Sequence, residues 1–210
     1  NDPNSKDWKF SNKVHSMFSD KQGNLWICTH SKGLEKISFY GSNFKLINQS
    51  KNNQDLTENT VRALFQDKYK RVWVAKRNSK IELYSETKEY LGYLNSNGAI
   101  SKTGEMIDGV AYHIMQDMND NIWIGTKGRG IILLEPKDKL NYKVTRFEYN
   151  RDDIYSISSN SVYYIHQDRH GRIWVATFGE GVNYIDKDDS GKYIFINSRN
   201  NLKGYPIDNC

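Results

Sequence analysis

The residues with which this chain could do covalent or metal chemistry are five histidines, two cysteines and scattered carboxylates. A zinc site needs His or Cys ligands at short spacing. His15, His30, His113 and His170 fall at unrelated repeat positions with no His-x3-His spacing among them, and neither Cys28 nor Cys210 belongs to a Cys-x-x-Cys. A serine hydrolase elbow would read Gly-x-Ser-x-Gly, and no such run occurs. Residues 117–121 (Asp-Met-Asn-Asp-Asn) open like a calcium loop. That match ends where Ile122 replaces the required Gly and Gly128 replaces the bidentate Glu. Gly128-Arg129-Gly130 and Gly179-Glu180-Gly181 fall between two strand-like runs rather than before a helix, so they read as hairpin turns and not as phosphate cradles. The expectation is a chain with no catalytic residue, no metal and no cofactor.

Recognition chemistry is better represented. Lys32, Lys76, Arg77, Lys80, Lys127 and Arg129 occupy short loops that also hold one acid, Glu180. Together they could draw an anionic ligand, although solvated turns explain the same charges. Phe178 shares these loops, and Tyr112, Tyr163 and Tyr164 could add stacking surface for sugar rings, though core packing is the plainer role for most of them. The candidate ligand-binding set is therefore Lys32, Lys76, Arg77, Lys127, Arg129 and Phe178. The net charge of +5 is mild and no block of like charges occurs, so nucleic acid is not an expected partner.

A repeat positions these loops. Trp26, Trp73, Trp123 and Trp174 recur every 47 to 51 residues, each preceded at six residues by Asp20, Asp67, Asp117 or Asp168. A strand-like run opens six residues earlier still, at Val14, Val61, Ala111 and Val162. A β-rich period near 50 with a fixed Trp is the pattern of propeller blades. The fold class is accordingly all-β, with four four-stranded antiparallel blades over residues 13–59, 60–109, 110–160 and 161–201. Each Trp sits in a second strand, as in Ile122-Trp123-Ile124-Gly125-Thr126. Two residues past each Trp stand Cys28, Ala75, Gly125 and Ala176, so that position takes only small side chains. Cys28 then reads as a packed residue rather than a reactive thiol. The turn before the second strand holds Gly23 and Gly171 in two repeats but Lys70 and Asp120 in the others, which predicts a left-handed backbone at all four. His166 aligns with Phe18, Phe65 and Met115 and is expected to be packed.

The recurring Asp-x-x-Gly-x-Ile-Trp-Ile-Gly-Thr pattern resembles the two-component regulator propeller repeat over essentially the whole chain. Val72-Trp73-Val74-Ala75-Lys76 departs most, lacking the Thr and the later Gly. The resemblance implies a segment of a larger, usually seven-bladed ring, with residues 1–12 and 202–210 as remnants of inter-blade loops. It also implies the periplasmic sensor region of a membrane-bound histidine kinase, often responding to glycans. The implied partners are an oligosaccharide, anionic if the basic loops contact it, and the remaining blades and kinase segments of the same protein. An open ring would expose apolar flanks, so a homodimer is a further expectation. An adhesion or scaffold propeller is the rival reading, and a propeller lyase or hydrolase a weaker one.

Overall fold

The computed structural model describes residues 13–31, 33–37, 45–47 and 60–200. Lys32, Cys210 and the expected loop remnants 1–12 and 202–210 lie outside the described residues. Those described form strands and turns without a helix, so none is long and apolar enough to cross a membrane.

Four antiparallel sheets follow one another along the chain. The first holds β1 (Val14–Ser19), β2 (Leu25–Thr29), β3 (Leu34–Ile37) and β4 (Lys45–Ile47). The second holds β5 (Val61–Gln66), β6 (Val72–Lys76), β7 (Ile81–Tyr84), β8 (Tyr90–Leu94) and β9 (Ile100–Ser101). The third holds β10 (Val110–Gln116), β11 (Ile122–Lys127), β12 (Ile131–Pro136) and β13 (Tyr142–Phe147). The fourth holds β14 (Val162–Gln167), β15 (Ile173–Thr177), β16 (Val182–Lys187) and β17 (Tyr193–Ile196). First strands of neighbouring sheets pack side by side around an axis, which makes each sheet a propeller blade. The ring is not closed.

One blade departs from four strands. After β8 the chain turns through Asn95–Gly98 and adds β9. This short strand also reaches the next blade, because Ile100 N–H donates to Leu140 O (2.8 Å) and Tyr142 N–H donates to Gly98 O (3.0 Å). The fifth strand thus ties the rims of blades 2 and 3.

The Asp–Trp spacing has one physical cause in all four blades. The indole N–H donates to the Asp Oδ2 at 2.7 Å for Trp26–Asp20 and 2.9 Å for Trp73–Asp67. The same bond measures 2.8 Å for Trp123–Asp117 and 3.1 Å for Trp174–Asp168. Oδ1 of each Asp accepts two backbone N–H groups of the turn, as Asp117 does from Asn119 and Asn121. A fourth donor comes from the side chain four residues on: Asn24, Arg71, Asn121 or Arg172. The carboxylate is thereby satisfied while it anchors a large apolar ring in the inter-blade core. Burial opposes ionisation of Asp168, yet bonds from Trp174, Arg172 and two turn amides outweigh it and hold the carboxyl well below its usual range.

The left-handed turn residue is present in each blade, with φ of 75° at Gly23, 59° at Lys70, 70° at Asp120 and 83° at Gly171. The small position is explained by the next blade. A Cβ on Gly125 would lie 2.6 Å from Val162 Cγ1. Cys28 fills the equivalent place in blade 1, and burial pushes its thiol up to about 11 against a hydrogen bond with Ser16, as suits an inert packed group.

Equivalent positions differ in burial between inner and outer blades. Val61, Ala111 and Val162 are all but fully buried, whereas Val14 is 50% exposed. Ile114 and Ile165 are buried, but their counterpart Met17 is 65% exposed. At the other end Trp174 and Tyr184 are only half-buried, where Trp123 and Leu133 are fully buried. His166 is exposed on this same flank, contrary to the packed place its alignment suggested, because no blade follows it in the structure.

Candidate functional site

The first strand of every blade carries a β-bulge at one repeat position. Pairing runs Val14↔Thr29 then Ser16↔Cys28, leaving His15 as the extra residue. The same shift isolates Arg62, Tyr112 and Tyr163. A bulge turns its extra side chain away from the regular alternation and often sits beside a binding site. Here it lies at the end of the innermost strand, next to the loops that join second and third strands.

The four bulged side chains meet across the blades. The Arg62 guanidinium lies 5.5 Å from the Tyr112 ring centroid. Tyr112 and Tyr163 contact edge to face at 5.1 Å. His15 is also near enough to Arg62 to feel its charge: burial, then Arg62, then His30 hold its imidazole below the usual range.

A second row runs beside the first, one residue past the end of the repeat's second-strand motif: His30, Arg77, Lys127 and Phe178. His15 and His30 stack at 5.3 Å, and Tyr163 and Phe178 contact at 5.6 Å. Backbone bonds fix this row's placement. His30, Arg77 and Phe178 donate their N–H groups to the carbonyls of Lys13, Thr60 and Ser161 at 2.9 to 3.0 Å. The loops beyond are locked in three blades by Thr29, Thr126 and Thr177, whose hydroxyls each donate to the carbonyl of Gly33, Gly130 or Gly181 at 2.8 Å. The channel mouth is thus a rigid frame carrying two rows of variable side chains.

The sequence-based candidates divide on this frame. Arg77, Lys127 and Phe178 belong to the second row and are exposed. Lys76 does not reach the mouth. It replaces the locking Thr in blade 2, is buried, and its ammonium contacts Glu82 Oε1 at 2.9 Å. Lys80 reaches the same carboxylate at 3.3 Å, and Tyr84 O–H donates to its other oxygen. Arg129 is at the mouth but pairs with Asp108 at 2.7 Å and Glu148 at 3.3 Å. These acids lie on inter-blade loops of the same face, which counting the hairpin loops alone left out. Tyr163, Tyr164 and Phe178 are exposed by 39%, 53% and 67%, so core packing is not their role. His15, His30 and Arg62 were missed. The signal that finds them is internal: at these two positions the four repeats carry unrelated residues, while the residue before the bulge stays apolar as Val14, Val61, Ala111 and Val162.

The other clefts suit ligands less well. One of about 290 Å³ opens between blades 3 and 4 on the opposite rim, lined by Asp117, Trp123, Arg172 and Tyr184. Its Asp117, Trp123 and Arg172 are already engaged in the Asp–Trp turns. No cluster of His, Cys, Asp and Glu able to hold a metal occurs among the described residues.

Fold and repeat define a β-propeller segment. Residues 9–31, 105–128 and 156–179 match the two-component regulator propeller model. The repeat around Trp73 is not among the matched segments, and it is the one in which the Lys76–Glu82 pair replaces the Thr lock. Similar solved structures include the extracellular domain of a putative one-component system from B. thetaiotaomicron. It is 16% identical with a TM-score of 0.64, over 87% of this chain and 26% of that one. The extracellular domain of a putative hybrid two-component system from the same organism is 19% identical with a TM-score of 0.59, over the same shares. This chain therefore spans about a quarter of the length of both, 26%. Virginiamycin B lyase from Staphylococcus aureus shares the fold at 14% identity and a TM-score of 0.59, over 88% of this chain and 55% of that one. No curated protein matches the sequence.

Proposed function

We propose that this chain is part of the extracytoplasmic, periplasmic sensing propeller of a two-component regulator. An oligosaccharide recognised at the channel mouth alters the packing of the blades, and the change passes to a histidine kinase of the same protein. The observation that carries this reading is the pair of mouth rows. The Asp–Trp turns, the small position and the apolar second strands keep like residue types for shared structural reasons, whereas the two mouth positions carry unrelated side chains on one backbone geometry. Such a division suits a scaffold that presents recognition groups. The family match supports the regulatory context.

The exposed flanks at Val14 and Met17, and at Trp174 and Tyr184, fit coverage by further blades of the same protein, a seven-bladed ring being the family's usual form. Coverage by a second copy is the competing outcome, and the mass of the intact protein in solution separates the two. An enzymatic reading is less well supported by the mouth. Burial, the Arg62 guanidinium and His30 hold the His15 imidazole below its usual range, an arrangement that weakens a general base. Titration of the intact protein against neutral and acidic oligosaccharides tests the proposal. Binding that is lost with Tyr163→Ala and Phe178→Ala supports it; absence of binding to every class refutes it.

A further inference from the structure

The two mouth rows are not uniform around the ring. Blades 1 and 2 contribute the imidazoles of His15 and His30 and the guanidiniums of Arg62 and Arg77, whereas blades 3 and 4 contribute Tyr112, Tyr163 and Phe178 with Lys127 the single cation. Arg129, the other nearby cation on the aromatic side, is engaged by Asp108 and Glu148. The two halves meet where Arg62 lies over Tyr112.

Arg62 is set apart in another way. Its Nε is buried and has no hydrogen-bond partner among the described residues. A buried guanidinium N–H without an acceptor is costly, and such atoms are rare unless a ligand or water meets them. The neighbouring groups leave this need unmet, since Tyr112 offers the guanidinium its ring and His15 forms no bond to that nitrogen. What is missing is an anionic acceptor, and a planar guanidinium matches a carboxylate or sulfate best. The aromatic half offers the complement. Tyr163 and Phe178 present exposed rings on which the C–H face of a pyranose can pack away from water.

Resting on the reading above, we propose that the mouth takes an acidic oligosaccharide in one polarity. Its carboxylate or sulfate lies against His15, Arg62 and Arg77 in blades 1 and 2, and its sugar rings lie over Tyr112, Tyr163 and Phe178 in blades 3 and 4. Arg62 at the junction is the specificity-determining residue, because its unpaired donor rewards an acid group placed next to a stacked ring. The reverse polarity would set the acid against aromatic faces and leave that donor unmet.

The test uses the intact protein and paired probes. Oligogalacturonate and alginate oligomers are compared with their carboxyl-reduced forms, and chondroitin sulfate hexasaccharide with its desulfated form, by calorimetric titration at two salt concentrations. An acid form should bind about tenfold or more tightly than its neutral partner, a preference that shrinks as salt rises. The uronate and sulfate arms tell which acid is read. Arg62→Met keeps the stem and removes the donor, so it should bring acid and neutral forms to parity while leaving the melting temperature unchanged or higher. Tyr163→Ala should weaken both forms alike. Neutral forms that bind as well as the acids, or a preference that survives Arg62→Met, would overturn the polarity and the acid requirement while leaving glycan recognition standing. Failure of every probe, neutral ones included, would overturn both.

Discussion

Replacing Asp117 by Ala measures what the repeat's central bond is worth. Asp117 accepts the Trp123 indole N–H at 2.8 Å, the amides of Asn119 and Asn121 at 2.8 and 2.9 Å, and the Asn121 side chain at 2.9 Å. Trp123 is fully buried between blades 3 and 4, so its N–H would be left with no partner. An unsatisfied buried donor costs about 1–3 kcal/mol, and a turn that loses its carboxylate about 1–2 more. The total is about 2–5 kcal/mol, or a fall in melting temperature of about 4–20 °C for a domain of this size. Asp168→Ala removes the same bonds around Trp174, which is half-buried on the open flank and can turn to water. If that flank is open in solution, this substitution costs about 1–2 kcal/mol. Thermal unfolding by circular dichroism of both variants decides the matter, with Trp123→Phe paired with Asp117→Ala and Trp174→Phe with Asp168→Ala to isolate each indole–carboxylate coupling. Equal losses, or a larger loss for Asp168→Ala, would refute the argument that burial of the indole sets the bond's value; in the intact protein, equality would mean that a further blade covers Trp174.

Other outcomes follow from the blade contacts. Gly125→Ala places a Cβ 2.6 Å from Val162 Cγ1 and should cost about 1–3 kcal/mol by overpacking, read as a lowered urea midpoint. Gln167→Ala removes the acceptor that Oε1 offers to Met118 N–H across blades 3 and 4 (2.7 Å), and should lower stability by about 1 kcal/mol and speed amide exchange at Met118. His113 accepts the Ile165 N–H on Nδ1 (3.3 Å), and burial, with His166 nearby, lowers its pKa to about 4. The unfolded chain binds this proton near pH 6.5 and the folded one only near 4. Its contribution is therefore fully present above pH 6.5, declines as pH falls, and levels off below 4. The loss is up to about 3 kcal/mol, and His113→Gln should flatten that part of the stability–pH curve.

The propeller was legible because each blade repeats a structural solution with the same residue types. Asp and Trp six apart announced the turn and the inter-blade anchor, although the spacing did not show that the two side chains bond to each other. The left-handed turn was readable even at Lys70 and Asp120, since alignment with Gly23 and Gly171 placed them there. Strand β9 escaped because two residues have no periodicity, and its partners lie as much in blade 3 as in blade 2. Lys76 was misplaced for a related reason: its position in the loop series suggested solvent, whereas a buried carboxylate at Glu82, across a hairpin, draws it inward. The mouth rows were partly read through Arg77, Lys127 and Phe178. Of their partners on the bulges, Tyr112 and Tyr163 were named as possible stacking surface but His15 and Arg62 were not, because a bulge is a property of paired strands and a single strand's alternation does not reveal it.

Hydrogen–deuterium exchange of the intact protein, with and without a saturating acidic oligosaccharide, tests the central claim most directly. Ligand contact at the channel mouth predicts added protection at the bulges around His15, Arg62, Tyr112 and Tyr163 and at the loops following Thr29, Lys76, Thr126 and Thr177. The opposite rim, at the turns of Asp20, Asp67, Asp117 and Asp168, should exchange as before. Protection concentrated at those turns, with the bulges unchanged, would contradict recognition at the mouth.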